Sequence, residues 1–91
     1  MREITDEKLS KYFAVTGKAI EKVKITEKDP KMGEDFFDMA KRYYSDAEYF
    51  REEGDYVNAF AAVAYAHGWL DAGARSGLSD VGGDSTLFTV E

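Results

Sequence analysis

Between Asp55 and Gly77 the chain reads DYVNAFAAVAYAHGWLDAGARSG, and from Tyr56 to Leu70 it contains no Asp, Glu, Lys or Arg. Placed 100° apart, Tyr56, Phe60, Val63, Leu70 and Ala74 share one side, the spacing of a core-facing helical stripe. Ala59, Ala62, Ala66 and Gly73 lie on one flank, Val57, Ala61, Ala64 and Gly68 on the other, and Tyr65 and Trp69 stand roughly opposite the stripe. A helix that is apolar nearly all round is normally a buried one. Asn58, His67, Asp71 and Arg75 interrupt it, so it is a poor match to the ~20 predominantly apolar residues of a membrane span. The expectation is therefore a central helix buried in protein, with Tyr65 and Trp69 needing a cover.

The rest of the chain must supply that surrounding. With 91 residues it makes one domain, 1–91, able to bury about 60–65% of the surface its unfolded chain exposes. Hydrophobic residues at 44% and a single Pro mark a folded chain. The absence of Cys removes disulfides, thiolate chemistry and Cys-based zinc sites. No signal-peptide or membrane-span pattern is present, which points to the cytoplasm. A net charge of −6 argues against broad attraction to nucleic acid or an anionic membrane.

Two further helices are predicted upstream. Thr5 can cap one starting at Asp6, with two acids in its first turn favoured by the helix dipole. Leu9, Phe13, Thr16, Ile20 and Val23 recur at helical spacing, with Tyr12 and Ala19 widening the face, to about Glu27. Lys11, Lys18 and Lys22 share a narrow arc on its opposite side, a solvated face or a contact for phosphate or an acidic partner. Asp29 followed by Pro30 reads as an N-cap and first helical residue. The stripe Met32, Phe36, Met39, Tyr43, Ala47 and Phe50 carries the second helix to about Glu53. Gly54 then ends it and Asp55 caps the third, so the last two helices form an antiparallel hairpin. Gly77 closes the third helix as Gly54 closes the second.

The expected fold class is all-α: a three-helix antiparallel up-and-down bundle, with helices over about 6–27, 30–53 and 55–76 and a short C-terminal tail over 78–91. Leu87 and Phe88 in that tail are expected to fold back near Trp69.

Candidate chemistry is sparse. Bundle metal sites use Glu-x-x-His on facing helices, and the one histidine, His67, has Ala64 three residues earlier. No metal ligand set, cofactor motif or phosphate loop is read. His67, Asp71 and Arg75 recur at four-residue spacing and form a candidate polar edge, either for acid–base work or as a structural salt-bridged edge. Ser76 is about 13.5 Å along the helix from His67 and is no nucleophile for it. Tyr65, Trp69, Ala62 and Gly73 form the candidate interaction surface.

Gly54 to Gly73, within YYSDAEYFREEGDYVNAFAAVAYAHGWLDAGARSGL and with the ending LFTVE, resembles most specifically the small archaeal family known as domain of unknown function 357. The resemblance covers nearly the whole chain and implies a three-helix bundle of the spectrin-repeat-like type. It implies no reaction, cofactor or binding residue. Ala47 to Leu70 also resembles one tetratricopeptide hairpin, a unit that needs about three repeats to stand as a solenoid. The helical nucleases with Arg-x4-6-His are matched less well, because Arg51 lies sixteen residues before His67. The reading that emerges is a non-enzymatic interaction module that binds a protein partner or itself. The alternative is a small enzyme or RNA-processing protein using His67, Asp71 and Arg75.

Overall fold

The computed structural model describes residues 4–83. Helices α1 (Asp6–Lys22), α2 (Pro30–Glu52) and α3 (Tyr56–Arg75) run up, down and up in an all-α three-helix bundle. α3 is the central element, packing along α2 and against α1, while α1 and α2 meet mainly through side chains.

Local chemistry sets each helix start. The Thr5 hydroxyl accepts from the Lys8 amide at 3.1 Å, Asp29 from Met32 at 3.1 Å and Asp55 from Asn58 at 3.2 Å, satisfying amides that have no partner within the helix. The two long helices also end alike. Gly54 and Gly77 have φ of 77° and 79°, and the next amide reaches back in each case, Asp55 to the Phe50 carbonyl and Leu78 to that of Gly73, both at 2.9 Å. Only glycine takes that left-handed turn without strain.

The first helix does not reach Glu27. It stops at Lys22, and Val23 turns extended, because the run Val23-Lys24-Ile25-Thr26 brings β-branched side chains that are stiff in a helix. Lys24–Ile25 forms a short strand, β1, paired antiparallel with β2, Ser79–Asp80, in the register Lys24↔Asp80 and Ile25↔Ser79. The Thr26 amide donates to the Leu78 carbonyl at 3.0 Å, and its hydroxyl to the Gly77 carbonyl at 2.7 Å. This strap crosses one end of the bundle over two helical glycines. A Cβ on Gly33 would sit 3.0 Å from Ile25 Cγ2, and one on Gly73 would sit 3.1 Å from Ser79 Oγ. The start of the expected tail is thus an ordered strand, whereas Leu87 and Phe88 lie outside the described residues. Val81 is the tail residue that packs in the cluster beside Trp69.

The core also departs from the expected stripes. On α3 the fully buried positions include Ala59, Ala62, Ala66 and Gly73 beside Val63 and Leu70, while Tyr56, Phe60 and Ala74 are only half-buried. On α2 the buried residues are Gly33, Ala40 and Ala47, and Met32 is exposed. Small side chains let the α2 and α3 backbones approach closely, which displaces the large rings to the seams. There they pack edge to face: Phe36 on Trp69 at 5.0 Å and Phe13 on Tyr44 at 5.4 Å between centroids. α1 keeps Leu9, Phe13 and Thr16 of its expected stripe and buries Ala19, while Ile20 and Val23 are half-buried and Tyr12 is exposed.

Candidate functional site

His67 is held between α1 and α3. Its Nδ1 lies 3.1 Å from the hydroxyl of Thr16, and its Nε2 lies 3.9 Å from Asp71 Oδ1, one turn along α3. The ring lines a cleft of about 300 Å³ with Tyr12, Val15, Thr16, Val63 and Ala64. Apart from the imidazole and the Thr16 hydroxyl, its walls are apolar. Thr16 is 2% exposed, so its hydroxyl positions the imidazole and is not presented to a substrate. Arg75 stands exposed in the last turn of α3. The structure therefore brings His67 and Asp71 together and leaves Arg75 at the helix end. Among the described residues no group of three or more His, Asp or Glu side chains is placed to hold a metal ion.

The larger feature is the solvent side of α3. Val57, Ala61, Ala64, Tyr65, Gly68 and Ala72 are all exposed, and neither Gly68 nor its surroundings crowd the helix, since a Cβ there would meet nothing within 4 Å. Aromatic rings border this face on both sides. Toward α1, Tyr12 packs edge-on against Phe60 at 4.8 Å; toward α2, Tyr43 stacks on Tyr65 at 4.8 Å with planes 8° apart. Tyr12, Val15, Val57 and Tyr65 are 40%, 39%, 69% and 61% exposed, large apolar surfaces around a floor without charge.

The predicted interaction residues divide across the helix. Tyr65 is on this open face, and Trp69 is half-buried in the α2 seam with its Nε1 buried and without a hydrogen-bond partner among the described residues. Ala62 and Gly73 do not belong to any surface. Ala62 packs against Leu9, Phe13 and Ala47, and Gly73 is covered by Ser79, because the small-residue flank containing them is the one α2 and the strap need for close contact. The sequence reading missed Tyr12, Val15 and Tyr43 as borders of the face. A signal was present in the helical periodicity for Tyr12, which widens the α1 stripe, and for Tyr43, a member of the α2 stripe, whereas Val15 lies outside the α1 stripe.

Away from the face, Arg51 ties the end of α2 to the start of α1. Its Nε donates to Asp6 Oδ1 at 3.0 Å, and its guanidinium lies over the Phe13 ring at 5.1 Å. Tyr44 donates to the Phe13 carbonyl at 3.3 Å. Burial, and secondly the nearby Glu48 charge, raises its phenol above the ordinary value of 10.0. No described helix is long and apolar enough to cross a membrane.

No curated protein and no solved structure matches the chain. A family model does match, over residues 11–79, which takes in most of α1, all of α2 and α3, β1 and the first residue of β2. The chain belongs to the family described as Protein of unknown function (DUF357).

Proposed function

We propose that this protein is a non-enzymatic docking module whose binding element is the solvent side of α3. One observation carries the reading: an exposed helix face runs from Val57 to Ala72 with no charged side chain before Asp71. A face that only meets water gains nothing from lacking charge, as the outer side of α2 shows with Glu34, Lys41, Glu48 and Glu52. Alanine and glycine at helical spacing on the floor allow another helix to approach closely, and the tyrosine borders supply large rigid contact surfaces. The class of partner is therefore a protein surface, helical where it touches α3.

A photo-crosslinking amino acid at Ala64, tested in cells of the source organism against the same group at Glu48 on the outer side of α2, examines this reading. Protein-sized adducts are expected from position 64 in excess of those from 48. Equal yields, or none, contradict the docking reading.

The cleft at His67 favours a second reading, catalysis or ligand binding at His67 and Asp71 with Arg75 nearby, because an imidazole with a carboxylate one turn away lines an apolar recess. The engagement of Nδ1 by a buried Thr16 is better explained by a structural polar link between α1 and α3. Full retention of any measured ligand affinity in His67→Gln would remove the catalytic reading.

A further inference from the structure

The flanks of the open α3 face carry opposite charge. On the α1 side Lys8 and Lys11 line a recess with Tyr12 and Val15, alongside Glu7, and on the α2 side Asp35, Asp38 and Asp46 stand beside Phe36, Met39 and Tyr43, with Lys31 near Asp35 and Asp38. Arg42 is also on the α2 flank, but it is paired with Asp38 at 2.8 Å. The contacts across the bundle fix the height of one charge on each flank. Tyr12 meets Phe60 and Tyr43 meets Tyr65, which sets Lys11 and Asp46 within a few residues of Ala61 along the bundle axis. At about 1.5 Å per residue, the two are offset by about 4.5 Å.

We propose that the occupant of this face is a second copy of the chain, paired about a two-fold axis that runs along α3. This rests on the docking reading above and names its partner. Such an axis keeps the two α3 helices parallel and at one height, and it exchanges left for right across the interface. The α1 flank of each copy then faces the α2 flank of the other, with Lys11 opposite Asp46, a pair formed twice as an isologous interface requires. A two-fold axis across α3 would instead set lysines against lysines and carboxylates against carboxylates. The uncharged floor of Ala61, Ala64 and Gly68 meets its own image without burying an unpaired charge. The local pairing also opposes the mutual repulsion of two chains that each carry −6.

Sedimentation equilibrium over a wide range of protein concentration tests this. Salt titration is a poor substitute, because salt screens the net repulsion as well as the flank attraction. The wild type is expected to follow a monomer–dimer equilibrium. Gly68→Arg, at a site open enough to accept the side chain, is expected to be monomeric with unchanged helix content. Lys11→Glu should raise the dissociation constant about tenfold or more by setting like charges opposite each other, and Lys11→Glu with Asp46→Lys should recover most of that loss. A wild type that stays monomeric at millimolar concentration overturns the proposal, as does a Gly68→Arg dimer of wild-type affinity. A Lys11→Glu dimer of undiminished affinity, or a double variant no tighter than the single, overturns the axis along α3. If the wild type is monomeric but position 64 crosslinks to a different protein, the second-copy proposal fails while the docking reading stands; no adduct at all removes both.

Discussion

Ala59, Ala62, Ala66 and Gly73 on one side of α3, and Ala61, Ala64, Gly68 and Ala72 on the other, are almost the same set of residue types, yet the first set is buried and the second lies in solvent. Intrinsic hydrophobicity does not separate them. What differs is the neighbour. On the inner side α2 brings Ala40 and Ala47, and the strap brings Ser79 over Gly73, so small faces small and the backbones close up. On the outer side the neighbouring helices contribute only tyrosine borders, and the floor between them is left open. A small-residue helix face is thus a request for close contact, and among the described residues only one of the two requests is met.

The comparison is broken most forcefully by large-to-small changes. Leu70→Ala, at a residue 2% exposed, is expected to cost about 2–5 kcal/mol, whereas Tyr65→Ala on the outer side should cost less than ~1 kcal/mol. Denaturant unfolding of both variants at concentrations where the chain is monomeric gives the two values directly, and similar losses would mean that the outer side is part of the core.

Adding volume is the next test. Ala66→Leu forces an enlarged side chain between α2 and α3 and should destabilise by about 1–3 kcal/mol; Ala64→Leu points into the open face and should stay within ~0.5 kcal/mol of the wild type.

The glycines sharpen the contrast by its sign. Gly68→Ala should stabilise the monomer by roughly 0.5–1 kcal/mol through helix propensity alone. Gly73→Ala should destabilise it by about 1 kcal/mol, since its Cβ would press on Ser79 Oγ at 3.1 Å. Two stabilising results in thermal unfolding would show that the strap gives way at no cost.

The smallest effect belongs to a ring turned inward, Tyr44, whose phenol is raised above 10.0 by burial first and by the Glu48 charge second. The folded chain therefore holds that proton to higher pH than the unfolded chain does. Its contribution is complete below the ordinary phenol value and is lost as pH rises through the raised one. Stability should fall above pH about 10, and Tyr44→Phe should flatten that decline; an unchanged alkaline limb in the variant would assign it to other groups.

These contrasts also show which parts of the fold were legible in the sequence. Helix starts at Thr5, Asp29 and Asp55 and stops at Gly54 and Gly77 could be read because each depends on chemistry within a few residues of itself. The three-helix arrangement followed from the short link at Gly54 and Asp55 and from the length of the apolar runs. The strap was not legible as a pairing. Its strands are two residues each and come from opposite ends of the chain, too short for any alternating pattern, although Gly33 and Gly73 inside helices were a trace of the backbone crossing over them. The core stripes were misplaced because periodicity weights Tyr56, Phe60 and Met32 above alanine, while close helix packing does the reverse. For the candidate surface, Tyr65 could be read from its position opposite the stripe; Ala62 and Gly73 could not, because which alanine-lined side of α3 receives α2 depends on partners distant in sequence.

The most direct test of the two-sided helix follows its alanine methyl groups by NMR as protein concentration is raised. The account predicts that the resonances of Ala61, Ala64 and Ala72 move together along one binding curve while those of Ala59, Ala62 and Ala66 stay fixed. Outer methyls that remain unmoved up to millimolar concentration, or inner and outer methyls that shift alike, would contradict it.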